Sequence, residues 1–419
     1  MKNIKIALTF AALLLLISQV RAQNKLNLPE ILKQIESQNP ELKASEATIR
    51  SMDEAAKGAK NWMPPQLGTG LFMTPYNPSL WKRIADGSSG MGQYMISAEQ
   101  MIPNKTLQNA ETAYLSAESS VELAQKNVAL NELYAEAKSS YFGWIILKKK
   151  EKILDQNEKL LQFMIQSTEI RYKNGLGKLN AYYKTKASLG TVQKMRLEIE
   201  NDLSQKKIRL NTLMNRNQFQ SFDIDSTYTL KDISDNLIDT AILLSSRSDI
   251  NAIDQQIKLT ALQQSVERSK LKPEFGVRYD HMFGFGGTPM QYTLMGMVRI
   301  PVRWSTRMQK ANIESLKWKS EAFSLQKQTL LNKAIGESSQ LVSQILMKRK
   351  QLKLYETNIL PALRKNFQTT QIAYEQNTEE LSVLNEAWET LNMTQLEYLD
   401  QVGQLLEMQV SLDRILERK

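Results

Sequence analysis

Five methionines, Met95, Met101, Met282, Met295 and Met297, occupy alternate positions in stretches that read as strands. Thioether sulfur is a soft donor suited to ions such as Cu(I). Methionine also fills irregular apolar gaps, and with 18 in the chain that plainer use is favoured. His281 is the only histidine, so no multi-histidine metal set can form within one chain. Its place between Asp280 and Met282 suits a surface or interfacial side chain. Asp223 and Asp225 have the spacing that opens a calcium loop, but the remaining ligand positions are missing. Gly284, Gly286 and Gly287 have the glycine content of a phosphate loop. They lead into Thr288-Pro289 and a further strand rather than a helix, which reads as a hairpin turn. The chain has no cysteine, which excludes a thiolate nucleophile, a disulfide, a sulfur metal site and a lipidated N-terminal cysteine. No Ser-His-Asp set or zinc motif occurs. These residues argue against an enzyme and name no cofactor or resident metal, so function has to be sought in the architecture.

The N-terminus reads as a secretory signal. Lys2 and Lys5 precede twelve mostly apolar residues, Ile6 to Ile17, too short a run to span a bilayer as a helix. Val20-Arg21-Ala22 supplies a cleavage-like site, so residues 1–22 are expected to be removed and the mature chain to begin at Gln23. Loss of Lys2, Lys5 and Arg21 takes the formal charge from +10 to +7. That excess is spread along mixed-charge helical stretches, a solvated surface rather than a nucleic-acid footprint.

The rest of the 419 residues reads as two copies of one plan. Asn39-Pro40-Glu41-Leu42-Lys43-Ala44 is echoed by Arg247-Ser248-Asp249-Ile250-Asn251-Ala252, and at the same offset Pro65 falls on Pro273. Met101-Ile102-Pro103 is echoed by Arg299-Ile300-Pro301, and Tyr172-Lys173-Asn174-Gly175 by Tyr374-Glu375-Gln376-Asn377. Each copy reads helix, strand, strand, long helix, turn, helix, a duplication familiar in transport proteins. The copies cover 23–218 and 237–419, with a linker of 219–236.

From Leu107 a heptad seam runs through Tyr114, Val121, Val128, Ala135 and Phe142. Ala110, Ala117, Ala124, Asn131, Lys138 and Ile145 follow three residues after each. Small residues on such a seam allow close coiled-coil packing. A helix from Lys105 to about Ile170 is roughly 100 Å long at about 1.5 Å per residue, and Ser305 to Leu354 reads similarly. Strands are expected at about 66–74, 91–102, 274–284 and 290–301. In them Tyr94, Ile96, Ala98 and Ile102, then Phe275, Val277, Tyr279 and Phe283, alternate with polar or charged residues. Alternation over about ten residues suits a membrane β-barrel strand, and also a half-buried soluble sheet. Pro65 and Pro273 stop a helix and restart the chain extended; Pro103 and Pro301 mark the returns. Four strands cannot close a membrane barrel, and lipid tolerates no open edge. If these strands lie in a membrane, several chains must share the barrel, and three chains give twelve strands.

LNLPEILKQIESQNPELKASEA, NWMPPQLGTG with its echo SKLKPEFGVR, SAEQMIPNKTLQNAETAYLSAES, RYKNGLGKLNAYYKTKASL and AYEQNTEELSVLNEAWETL occur in an order and spacing that resemble the TolC-type outer-membrane efflux proteins, from about residue 25 to 415. The resemblance implies a mainly α fold with membrane β: a homotrimer with a twelve-stranded barrel on a long, antiparallel coiled-coil helical tunnel in the periplasm, and a small mixed region holding 219–235. It implies an outer-membrane exit duct for small molecules or metal ions. The implied partners are a periplasmic adaptor and an inner-membrane pump, here of the resistance-nodulation-division type, with outer-membrane lipid around the barrel and no nucleic acid. It also implies adaptor-docking turns, carried over to Gly175, Leu176, Leu179, Asn377 and Leu381, and a tunnel gate near Lys184 and Glu386. Asn377 stands where the family usually has glycine. Lys184 stands opposite Glu386 in the repeat, which opposes a purely acidic, cation-favouring gate. A trimeric coiled-coil surface protein without a pore would explain the signal and the heptads, but not the two hairpins.

Overall fold

The computed structural model describes residues 25–83, 87–175, 178–228 and 247–418. The signal segment 1–22, Leu176 and the later part of the linker, 229–236, lie outside the described residues.

The chain opens with β1 (Lys25–Leu26) and α1 (Leu28–Gln38). Asn27 starts α1 through a capping box. Its side chain accepts from the Glu30 amide at 2.9 Å, and its own amide donates to Glu30 Oε2 at 3.0 Å, satisfying two of the free donors at a helix start. Asn39 ends α1 in an extended conformation, as a residue before proline prefers, and α2 (Pro40–Lys57) follows. Then come β2 (Gln66–Phe72), β3 (Gln93–Ile102), α3 (Lys105–Lys173), α4 (Leu179–Leu213) and β4 (Asp223–Ile224). The second copy supplies α5 (Ser248–Ser269), β5 (Glu274–Gly284), β6 (Gln291–Arg299) and α6 (Arg307–Leu354). A π-helical turn (Tyr355–Ile359) then leads into α7 (Leu360–Glu375) and α8 (Leu381–Ile415). The wide turn sits just before Pro361, which lacks an amide hydrogen and crowds the carbonyl one turn back.

Two compact units divide the chain, and each draws on both sequence copies. Within the described residues, one holds 25–43, 127–228, 247 and 331–418. Its core joins Ile31, Ile35 and Leu42 to Tyr141, Trp144 and Ile145 of α3, Leu203 and Leu210 of α4, and Phe222 and Ile224. β1 and β4 pair in parallel, Lys25 with Asp223 and Leu26 with Ile224. The Tyr141 hydroxyl donates to the Asp225 carbonyl beside them at 2.9 Å. This extra layer explains a departure from the heptad seam. Up to Ala124 buried residues follow it; beyond, Lys138 and Ile145 of the seam stay buried, and Leu133, Tyr134, Ala137, Tyr141 and Trp144 are buried as well. There α3 meets α1 and the small sheet on faces that a two-helix seam leaves to solvent.

The other unit, 44–83, 87–126 and 248–330, holds a four-stranded antiparallel sheet in the order β2-β3-β5-β6. Its register sets Tyr94 opposite Phe283, Ile102 opposite Phe275, Phe275 opposite Val298 and Tyr279 opposite Leu294. One face is thus a continuous apolar and aromatic surface, and it is exposed. The other carries Glu99, Arg278 and Asp280 in adjacent rows, with Asp280 only 3% exposed and bonded to Arg278 Nε at 2.9 Å. His281 stands on the apolar face, edge-on to Phe283. Pro65 and Pro273 directly precede β2 and β5, Pro103 directly follows β3, and Pro301 lies two residues past β6.

Candidate functional site

The first unit brings together the two helical turns that the duplicated sequence sets 202 positions apart. α7 ends in a full Schellman arrangement: the Thr378 amide reaches the Ala373 carbonyl at 2.9 Å, and the Asn377 amide the Tyr374 carbonyl at 3.1 Å. This closure needs a left-handed residue after the helix end, and Asn377 supplies it with φ +61°. Its counterpart Gly175 has φ +73° and donates to the Tyr172 carbonyl at 3.0 Å.

The turns are bound to each other. Lys178 precedes α4 and Glu380 precedes α8, equivalent positions of opposite charge, and they meet at 2.7 Å. The Lys178 ammonium, by its hydrogen bond and then its charge, holds the Glu380 carboxyl below the usual glutamate range. Arg171 donates to the Tyr374 carbonyl at 3.1 Å, with its guanidinium 4.2 Å over the Tyr374 ring. Between the turns lies a cleft of about 550 Å³, lined in part by Thr168, Arg171, Lys178, Lys184, Glu379 and Glu380. Its charges are mixed, and no group of three or more histidine or acidic residues placed to hold a metal ion occurs among the described residues.

Behind the cleft the helices are joined by buried polar side chains. Asn385 donates to Thr185 Oγ1 at 2.7 Å. Trp388 Nε1 donates to Asn157 Oδ1 at 2.8 Å, and Asn157 Nδ2 donates to Asn392 Oδ1 at 2.6 Å. All six of Asn157, Thr185, Asn385, Trp388, Asn392 and Thr168 are buried. In a packed interior each such group has to be partnered, so these bonds fix which residues of the two hairpins face each other.

Of the residues the resemblance singled out, Gly175, Asn377 and Leu179 are exposed at the turns, and Leu381 is 5% exposed, in the core with Leu384 and Trp388. Lys184 lines the cleft; Glu386 is exposed, and no ion pair between them occurs among the described residues. Sequence reading missed Arg171, Lys178, Glu380 and the buried asparagines. Lys178 and Glu380 could have been found, because the repeat offset aligns them with opposite charges. The asparagine contacts join residues more than 200 positions apart and leave no local trace.

The second unit ties its loops in a comparable way. Trp81 stacks on Phe285 at 5.3 Å. The Gly90 amide donates to the Gly286 carbonyl at 3.0 Å, and Thr288 Oγ1 to the Gly90 carbonyl at 2.7 Å. The segment 74–90, without a role in the sequence reading, is therefore bound to the turn of the other hairpin. On the polar sheet face Met95 opposes Met282, and Met101 and Met297 flank Gly276. A Cβ on Gly276 would lie 2.6 Å from Met101 Sδ, so those two thioethers occupy the space over the glycine.

A family model described as outer membrane efflux protein matches residues 31–216. Solved structures match over nearly the whole chain. The outer-membrane channel OprN is 17% identical with a TM-score of 0.73, covering 93% of this chain and 89% of its own. The outer membrane protein VceC from Vibrio cholerae is 15% identical with a TM-score of 0.71, covering 93% and 95%. Over 31–216 the chain is thus similar in sequence to outer membrane efflux proteins, and over nearly its whole length it has the fold of these channels. The MtrE outer membrane channel of Neisseria gonorrhoeae, solved in an open state, is 12% identical with a TM-score of 0.73 over 93% of this chain and 88% of its own. No curated protein matches in sequence. No helix among the described residues is long and apolar enough to cross a membrane.

Proposed function

We propose that this chain is an outer membrane efflux protein, the exit duct of a tripartite pump. It acts as a homotrimer whose four strands per chain close a twelve-stranded barrel in the outer membrane, above a helical tunnel in the periplasm. A periplasmic adaptor and an inner-membrane pump of the resistance-nodulation-division type feed it small molecules or metal ions. The duct is passive and the pump supplies the energy. The observation that carries the reading is the sheet itself. Its outer strands β2 and β6 are unpaired on one side, and one face is apolar, aromatic and exposed. Lipid cannot satisfy a free strand edge, so further copies must close it, and strands of this number suit three.

The joined turns are the adaptor-docking end. Gly175, Leu179 and Asn377, with Leu176 beside them, form the contact surface, and Leu381 seats the second turn from beneath. Lys184 and Glu386 line the gate as mixed charges, a weaker cation filter than a ring of carboxylates alone. The test is native mass spectrometry of the mature protein extracted from outer membranes in mild detergent. A trimer is expected; a folded, membrane-embedded monomer would overturn the shared barrel.

A further inference from the structure

One end of the four-stranded sheet carries a surface that the duct reading leaves unused. Here the chain passes between sheet and helix four times: before β2, after β3, before β5 and after β6. The first three of these passages are tied together, and the fourth opens at the same end of the sheet. Gln108 Nε2 donates to the carbonyls of Lys60 and Asn61 at 3.3 and 3.2 Å, Asn104 Nδ2 to the Ser269 carbonyl at 3.4 Å, and Lys272 Nζ to Thr106 Oγ1 at 3.3 Å. They form one local surface within a single unit.

Its charge is one-sided. No aspartate or glutamate occurs in 55–65, 100–110, 268–273 or 300–313. Acids adjoin these stretches but two of them are already engaged: Glu274 is bonded to Arg299 at 2.8 Å, and Glu267 to Lys270 at 2.6 Å and to Asn312 at 3.3 Å. Against this, Lys60, Lys105, Lys272, Arg303, Arg307 and Lys310 are all exposed. Lys57 and Lys270 in the same stretches are paired with Glu54 and Glu267, yet none of these six is in an ion pair among the described residues. Set among them are large apolar side chains exposed in the single chain: Trp62 is 57% exposed, Trp304 79%, Met63 63% and Met308 72%. Tryptophan beside lysine and arginine is the composition of a membrane–water boundary, where the ring sits at headgroup depth and the cation meets phosphate.

We infer that this collar binds the phosphate groups of anionic phospholipids in the leaflet on the helical side of the barrel. The inference rests on the membrane reading of the sheet. Charge complementarity selects the occupant: exposed cations without carboxylate partners, beside exposed indoles, fit an anionic headgroup above acyl chains. The tryptophans set the depth of the barrel, and the basic side chains make that depth favour anionic lipid.

The full mature chain, extracted in mild detergent, is reconstituted into vesicles of phosphatidylglycerol with phosphatidylcholine in equal parts. Lipid retained by the protein is then read by native mass spectrometry. Phosphatidylglycerol is expected to be retained about tenfold over phosphatidylcholine at 0.1 M salt, a preference that collapses near 1 M as the screening length falls from about 10 to 3 Å. The sixfold variant K60Q/K105Q/K272Q/R303Q/R307Q/K310Q is expected to insert without that preference. Equal retention of both lipids by the wild type overturns the inference alone, and so does a preference indifferent to salt, a measurement that needs no variant. Failure of the wild type to insert into vesicles of either lipid overturns the membrane reading, and the inference with it.

Discussion

Asn377 adopts the left-handed backbone of its counterpart Gly175, and asparagine is among the side chains that tolerate that region. Asn377→Gly should leave thermal unfolding, followed by circular dichroism, nearly unchanged, whereas Asn377→Val should destabilise by about 1–2 kcal/mol. This much was legible in the sequence, because the repeat aligns the residue with a glycine. The partners of Asn157 were not. Asn157→Ala strands the Trp388 indole N–H and the Asn392 carbonyl in a buried site, at about 1–3 kcal/mol for each. The triple change Asn157→Leu, Trp388→Phe and Asn392→Leu, which removes every polar member, should cost less in the same melt. The Lys178–Glu380 pair has a pH signature. Because the Glu380 carboxyl is held low by Lys178, its contribution is complete above the ordinary glutamate value of about 4.3 and disappears only as pH falls through the depressed value. A carboxyl titration should find Glu380 still ionised where free glutamate is half protonated, and Lys178→Gln should raise its midpoint.

Secondary-structure elements differ in how far their own residues announce them. The strands of the large sheet were legible because alternation over about ten residues has a period of two, and the prolines bracket it. β2, the least regular, ends at Phe72 rather than 74, since Met73 takes φ +45°. β1 and β4 have two residues each, too few for any period, and their pairing depends on a fold already formed. The heptads located α3 but missed the widening of its buried face, because a seam describes one neighbour and α3 has several. The joined outer loops likewise rest on contacts between distant segments. A Cβ on Gly90 would overlap the Trp81 carbonyl and lie 3.0 Å from Gly286 Cα. That is backbone against backbone, with no side chain free to yield. Gly90→Ala should therefore part the two loops. Expected readouts are altered Trp81 fluorescence and protease cleavage within 74–90, with the assembly mass unchanged.

At the scale of the molecule, the duplicated plan gave the order of elements, while the compact units cut across the two copies. Repeat boundaries followed in sequence are therefore not the boundaries of packing. Hydropathy is silent on the proposed membrane element, since no helix among the described residues qualifies and a barrel strand devotes only every other residue to lipid. The unpaired sides of β2 and β6 also bear on how the protein matures. In the proposed barrel a single copy holds a sheet with two open edges that no bilayer can accept, so partners must be found before or during insertion. The yield of inserted channel in a cell-free membrane assay should therefore rise more steeply than linearly with the amount of chain made, and nascent copies released one at a time should wait in the aqueous compartment, soluble only while something else covers their rims.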